Sequence, residues 1–326
     1  MSTLPTFTKS VDDYFVNTWY TVRTQAIDNI LNATVVWAAL KERGCLKPQI
    51  GEQDITRTIW YGTVDPTAIS RGDLLPFGEP QLVTRASWSW RWLASYAQRS
   101  MFDDQPNRGK GRIRDYVADR VKAMRDGMVQ RFETDLFRAG ITAETGKYLQ
   151  SLYDLLPTYA TRATGTYGTI ARSNSWWQSH YKQWETPYEV NLVSNMNNLY
   201  NTIANSGPGQ EPPNLIVTDQ TTFEIYHDFA LDSQQVVRDT GSKLADLGFD
   251  VLKFRGKQLV YTGNMGTAYD MMMLNTDYIE FVYDPGYWFE VTDWKQGPLE
   301  TNKVQHLICT GNLIGTQPRR HGLGYA

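Results

Sequence analysis

The sequence predicts an α+β fold with extended arms, and three observations carry that prediction. One helical period runs unbroken from Arg112 to Ala139. Ahead of it, Gly51 to Gly78 has no helical period at all and is punctuated by Gly, Pro, Asp and Thr. Behind it, helix-sized and strand-sized apolar patterns alternate to the C-terminus, the arrangement of a mixed fold rather than a bundle or a sandwich.

Residues 11–43 read as a helix, because Trp19, Val22, Ala26, Ile30, Ala33, Trp37 and Leu40 step by three or four along one face. Gly44 is a natural stop. Two extended runs follow, Thr56 to Tyr61 and a second through Trp88, Trp90 and Trp92, whose alternation would project all three rings from one strand face. Joined by the Gly/Pro-rich stretch Gly62 to Gly78, they predict a long hairpin. A two-stranded ribbon is marginal alone in water, so one bearing Trp60, Trp88, Trp90 and Trp92 needs a partner surface. The long helix places Ile113, Val117, Val121, Met124, Met128, Phe132 and Leu136 on one face over roughly 40 Å at 1.5 Å per residue. Its other faces carry Arg114, Asp119, Lys122, Arg125 and Glu133, and Gly140 closes it.

In the C-terminal half, Tyr188 to Asn205 is predicted helical, followed by a buried strand at Leu215 to Thr218. Asp219, with Thr221 and Glu224 at capping-box spacing, opens the next helix. Phe249 to Phe254 and Gln258 to Thr262 flank Arg255-Gly256 as a hairpin. Met271 to Leu274 and Tyr278 to Tyr283 are further strands. Lys303 to Cys309 and Leu313 to Gln317, joined at Gly311-Asn312, are expected to form a last hairpin.

Composition excludes several function classes. With 32 basic and 35 acidic residues the net charge is -3, whereas a protein that grips phosphates by counterion release carries a basic excess. No apolar run approaches the roughly 20 residues of a membrane span, and Met1 to Ser10 has no signal-peptide pattern, so a soluble chain made in the cytoplasm is expected. Cys45 and Cys309 read as reduced, buried thiols. The aromatic fraction is high at 13%, with 11 Trp and 19 Tyr; large core side chains account for half or more, and interfaces or sugar sites for the rest.

No catalytic constellation survives inspection, and no cofactor is expected. Gly140 and Gly146-Lys147 have the wrong spacing for a phosphate loop, with Tyr148 where a Ser or Thr should stand. Gly165 and Gly168 lack the third glycine of a dinucleotide fingerprint. None of His180, His227, His306 and His321 has a metal-ligating neighbour in sequence; His306 is assigned to a sheet face and His321 to a tail. The basic spots Arg108 to Arg114 and Arg319 to Arg320 read as solvated faces or inter-subunit ion pairs. A carbohydrate-active enzyme or sugar-binding protein, which the tryptophans suggest, would need a cleft with paired carboxylates.

Element order and local sequence together resemble the major capsid proteins of tailed double-stranded DNA bacteriophages, the Hong Kong 97-like family. The resemblance rests on "NLIVTDQTTFEIY" (Asn214 to Tyr226), "LADLGFDVLKFRGKQLVYTGNM" (Leu244 to Met265), "MMMLNTDYIEF" (Met271 to Phe281), "GNLIGTQPRRHG" (Gly311 to Gly322) and "ARSNSWW" (Ala171 to Trp177), and covers nearly the whole chain. It implies an N-terminal arm (1–45), an extended E-loop (46–98), a P-domain with a long spine helix (99–150 and 286–326) and an A-domain (151–285).

The family likeness further implies a non-enzymatic shell subunit of the virion, assembling with identical copies into hexamers and pentamers around double-stranded DNA held without sequence-specific binding. Inter-subunit contacts are then expected from Trp60, Tyr61, Leu74, Leu75, Phe77, Trp88 and Trp90 in the E-loop, and from Trp19, Val22, Ile30 and Trp37 in the arm. Arg114, Lys122, Arg125 and Phe132 mark the spine helix. No lysine lies between Lys47 and Lys110, so the lysine–asparagine weld of some relatives is not expected. The arm begins within the first dozen residues, which implies a separate scaffolding protein, alongside a portal; a cement protein is a further option. An encapsulin-like nanocompartment shell, which shares the fold, is the alternative.

Overall fold

The computed structural model describes residues 35–64, 66–75, 78–100, 110–138, 147–207, 209–232, 252–265, 269–297 and 301–326. Two six-stranded sheets organise it. The first is built on one long strand, β15 (Asn302–Gly315), which pairs antiparallel along one edge with β4 (Arg91–Ser100). Its other edge takes, in succession, β12 (Ile279–Tyr283), β13 (Glu290–Val291) and β14 (Lys295–Gln296), while β1 (Leu46–Pro48) adds parallel to β12. The expected hairpin at Gly311-Asn312 is therefore not a turn. Gly311 sits mid-strand because the Phe281 ring and the Val282 carbonyl lie within 3 Å of where a Cβ would stand, the close approach that glycine in a strand permits.

The second sheet runs β7 (His180–Gln183), β16 (Gly322–Tyr325), β11 (Met271–Leu274), β8 (Leu215–Thr218), β10 (Lys257–Tyr261), β9 (Leu252–Phe254). β8 and β11 are buried along their whole length, as their uninterrupted apolar sequence predicts for strands covered on both faces. Alternate residues serve different cores. Ile216, Met271 and Met273 pack with helix α4 (Tyr188–Ala204) and helix α5 (Gln220–Asp232), whereas Leu215, Val217, Met272 and Leu274 join the main core shared with the first sheet. The expected hairpin at Arg255-Gly256 connects β9 and β10. Helix α5 is capped by Asp219 alone, whose carboxylate accepts from the N–H groups of Thr221 and Thr222; Glu224 is engaged by Gln220 instead of reaching back.

Sheet membership does not follow sequence order: Ile279–Tyr283 belongs to the first sheet, and Gly322–Tyr325 inserts between β7 and β11 of the second. Two of the crossings between the sheets, near Asn275–Tyr278 and near Thr316–His321, are tied together by hydrogen bonds. The Asn275 N–H donates to His321 Nδ1 at 3.1 Å, and the Thr316 N–H to the Tyr278 carbonyl at 2.9 Å. His321 is no tail residue but fully buried, and Arg320 is buried beside Glu211 rather than solvated. Burial with no compensating charge lowers the His321 pKa to about 3.

The main core centres on aromatic rings. Helix α1 (Val35–Glu42) and helix α2 (Lys110–Leu136) bring Trp37 and Phe132 against Phe281, Trp288 and Phe289. Trp37 meets Phe132 at 5.4 Å and Phe281 at 5.0 Å, both edge to face, and its indole N–H donates to the Phe132 carbonyl. Trp37, expected at a contact between subunits, is buried within its own subunit, as is the helix turn that carries it from Val36 to Leu40. Trp19, Val22 and Ile30 lie outside the described residues. Cys45 and Cys309 are buried free thiols, and burial raises the Cys45 pKa to about 11 and that of Cys309 further, so neither is a reactive thiolate near neutral pH.

Candidate assembly interface

Strands β2 (Asp54–Trp60) and β3 (Val83–Ser89) pair antiparallel from Asp54↔Ser89 to Trp60↔Val83, forming the expected ribbon. Period-two alternation divides its faces. Ile55, Ile59, Ala86 and Trp88 are buried on the subunit's own body, while the opposite face, with Thr58, Arg85, Trp60 and Val83, is exposed.

The root of the ribbon is fastened by a short hairpin, β5 (Thr166–Tyr167) and β6 (Ile170–Ala171). The Trp88 ring lies edge-on to Tyr167 at 5.8 Å, and a Cβ at Gly168 would come about 2.5 Å from that ring, so only glycine lets the two surfaces close. The Ser87 N–H donates to the Gly168 carbonyl at 3.0 Å. On the other side Arg57 pairs with Glu280 at 2.8 Å, and Tyr61 stacks on Trp176 at 4.5 Å.

Past Gly62 the fastening stops. The described residues from Thr63 to Gln81 are all exposed, and a turn in which the Ser70 N–H donates to the Asp73 carboxylate is the local order there. Yet this tip is apolar: Leu74 is 93% exposed, Leu75 71%, and Val64 and Ile69 more than half, with Trp60 at 63% where the ribbon ends. A lone exposed leucine needs no explanation, but several large apolar side chains exposed on one arm make it a candidate binding surface.

The expected contact residues divide accordingly. Trp60, Leu74 and Leu75 project into solvent; Tyr61 and Trp90 are half-buried, the latter donating its indole N–H to the Glu52 carbonyl; Trp88 is a core residue of its own subunit; Phe77 lies outside the described residues. The three alternating tryptophans do not share a face, because the chain leaves the ribbon at Ser89 and enters the first sheet at Arg91, breaking the strand at Trp90. On the long helix Lys122 is exposed and Phe132 buried, while the side chains of Arg114 and Arg125 lie outside the described residues.

A second exposed aromatic surface joins Trp92, expected to need a partner, to two tyrosines that the sequence reading did not single out. Trp92 and Tyr96 stand on the outer face of β4, and Trp92 meets the exposed Tyr287 at 5.3 Å. The signal was present: Trp92 and Tyr96 are four apart, so they share a strand face. Of the ten described tryptophans, Trp60 and Trp92 are the exposed ones. Among the described residues no cluster of His, Cys, Asp and Glu could hold a metal ion, and no helix is long and apolar enough to cross a membrane.

No protein-family model and no curated protein matches the chain. Solved structures do. The chain is similar to a subunit of the cyanophage A-1(L) capsid, with a TM-score of 0.64 and 15% identity over 85% of this chain and 88% of that one. It is similar to the capsid of the native GTA particle, with a TM-score of 0.54 and 12% identity over 88% and 89% of the two chains. A Gordonia phage Cozz structure matches with a TM-score of 0.51 and 11% identity over 88% and 86%. The fold is Hong Kong 97-like.

Proposed function

We propose that this chain is the major capsid protein of a tailed bacteriophage, a shell-building subunit with no catalysis of its own. The observation that carries the reading is the conjunction of a Hong Kong 97-like fold with a ribbon whose tip, among the described residues, carries exposed leucines. Identical copies assemble into hexamers and pentamers, and the tip of one ribbon, through Leu74, Leu75 and Trp60, lies on the first sheet and long helix of the next subunit. In this reading the ribbon is the E-loop, the first sheet with α2 the P-domain, and the second sheet with α4 and α5 the A-domain at the capsomer centre.

The physical logic is a division of labour. A root fixed by Trp88, Tyr61 and Arg57 sets the direction of the arm, and a tip without internal partners supplies apolar area that gains stability when a neighbour covers it, at about 25 cal/mol per Å² removed from water. Net charge of -3 suits a wall that encloses double-stranded DNA without binding its sequence. A separate scaffolding protein, a portal and in some shells a cement protein complete the assembly, which forms in the host cytoplasm and ends in the virion.

Electron microscopy of the full-length protein, alone and co-expressed with its genomic neighbours, tests this. Closed icosahedral shells or free hexamers and pentamers are expected, with DNA distinguishing a virus head from a nanocompartment filled with enzyme. A monodisperse monomer under every condition overturns the proposal.

A further inference from the structure

Where the ribbon leaves the first sheet, an open pocket of about 440 Å³ lies against the start of β4, a volume in the range that holds a small molecule. Its walls are aromatic. Trp90 is half-buried and held by its indole N–H on the Glu52 carbonyl at 2.8 Å. Trp92 and Tyr287, with ring centroids 5.3 Å apart, present rings that are 54% and 46% exposed.

The charge of the pocket has one sign. Glu52, Asp54 and Asp284 contribute carboxylates, and no lysine or arginine is part of the lining. Among the described residues, Glu52 accepts from the neutral Gln49 amide at 2.7 Å and Asp284 from the Gly286 N–H at 2.8 Å, while the Asp54 carboxylate has no partner. Other carboxylates of the body are engaged by cations or caps: Glu280 pairs with Arg57, Asp135 with Arg131 and Arg138, and Asp154 is held in the capping box of the short helix α3 (Leu152–Leu155). Three like charges around one pocket repel one another and favour a cation between them. The floor adds an independent sign. Thr310, opposite Trp92 in the β15–β4 register, is only 2% exposed, yet its hydroxyl has no hydrogen-bond partner and lines the pocket, ready to accept from an N–H donor. Water would satisfy that hydroxyl, but it would neither neutralise three carboxylates nor gain from three aromatic rings.

We propose that this pocket is a binding site for an aliphatic polyammonium cation of the polyamine class. Its ammonium heads meet the carboxylates in charge-assisted hydrogen bonds, and its methylene chain lies on the rings of Trp90, Trp92 and Tyr287, whose faces also attract ammonium. Several heads suit the pocket better than one, because the acids come from separate segments: Glu52 and Asp54 from the ribbon root, Asp284 from the turn after β12. A bound chain ties the ribbon root to the start of β4 and to that turn, and removes their mutual repulsion. The site does not depend on the shell reading, and its test leaves that reading untouched.

Equilibrium dialysis of the full-length, nucleic-acid-free protein against radiolabelled spermidine, with sodium chloride holding the ionic strength constant, measures the site directly. Saturable binding of one spermidine per chain is expected, displaced by unlabelled spermidine and far less by magnesium chloride at the same ionic strength. Asp54→Asn removes a charge at constant shape and Trp92→Leu removes an exposed ring; each should weaken binding about threefold or more. Glu189→Gln alters an exposed acid on α4 outside the pocket, removes the same charge and should leave binding unchanged. Circular dichroism and thermal melts establish that the variants are folded. Absence of saturable binding, or binding unchanged in both pocket variants, would overturn the site. An equal loss in Glu189→Gln would mean that the cation answers to net charge alone, and would overturn it too. Displacement by magnesium as effective as by spermidine would overturn the assignment to an organic cation.

Discussion

The ribbon β2–β3 and the central strands β8 and β11 of the second sheet draw on the same residue types, large apolar and β-branched side chains, yet differ completely in how they are covered. Leu215 to Thr218 and Met271 to Leu274 have no exposed residue on either face, because strands pair on both edges and each face looks into a core. The ribbon has one covered face at its root, and the described residues of its tip, from Thr63 to Gln81, are exposed. Apolar content therefore says that a segment must be buried, and topology decides whether the subunit can do it alone.

Three changes would break or sharpen that contrast. The largest effect belongs to the enclosed side. Phe281→Ala removes the ring on which Trp37, Phe132 and Trp288 converge, and should destabilise the subunit by about 3–5 kcal/mol. Denaturant unfolding of dissociated subunits reads this directly, and a loss below about 1 kcal/mol would mean that the aromatic hub is loosely packed.

An intermediate effect comes from the crossing between the sheets. His321 is buried neutral with its pKa lowered to about 3, whereas in the unfolded chain it titrates near its ordinary 6.5. Below pH 6.5 the unfolded state therefore takes up a proton that the folded state refuses, and stability falls as the pH drops towards 3. The loss reaches about 2 kcal/mol by pH 5 at 1.36 kcal/mol per unit. His321→Gln should flatten this part of the stability–pH curve while leaving the acidic residues' contribution in place; an unchanged slope would show that His321 is not its source.

The smallest effect on stability, and the largest on assembly, is expected at the ribbon tip. Leu74→Ser with Leu75→Ser alters side chains already in solvent, so the unfolding free energy should stay within about 0.5 kcal/mol. Electron microscopy should nevertheless show capsomers and shells lost. Normal shells from this variant would place the ribbon's contact elsewhere, the aromatic face of Trp92, Tyr96 and Tyr287 being the next surface to alter.

Much of the architecture was legible from periodicity. The long helix, the Tyr188 helix, the strands at Leu215 and Met271 and the Arg255-Gly256 hairpin all appear within a few residues of expectation, since each is dictated by local pattern and turn chemistry. The candidate interface was legible only in part. Trp60, Leu74 and Leu75 are exposed as an interface requires, but Trp37 and Trp88, equally prominent in sequence, serve their own subunit's core. A tryptophan carries no mark of which surface will cover it.

By itself the sequence determined the α+β class, the succession of elements, the ribbon and its apolar tip, because spacing of apolar residues and breaker chemistry act within a few residues of one another. Tertiary structure alone decided that β15 runs straight through Gly311, that the C-terminal strand returns to the second sheet and buries His321, and which tryptophans turn inward. Those outcomes depend on contacts between residues tens of positions apart, such as Phe281 over Gly311 and Trp88 over Gly168, and packing at that range leaves no local signature.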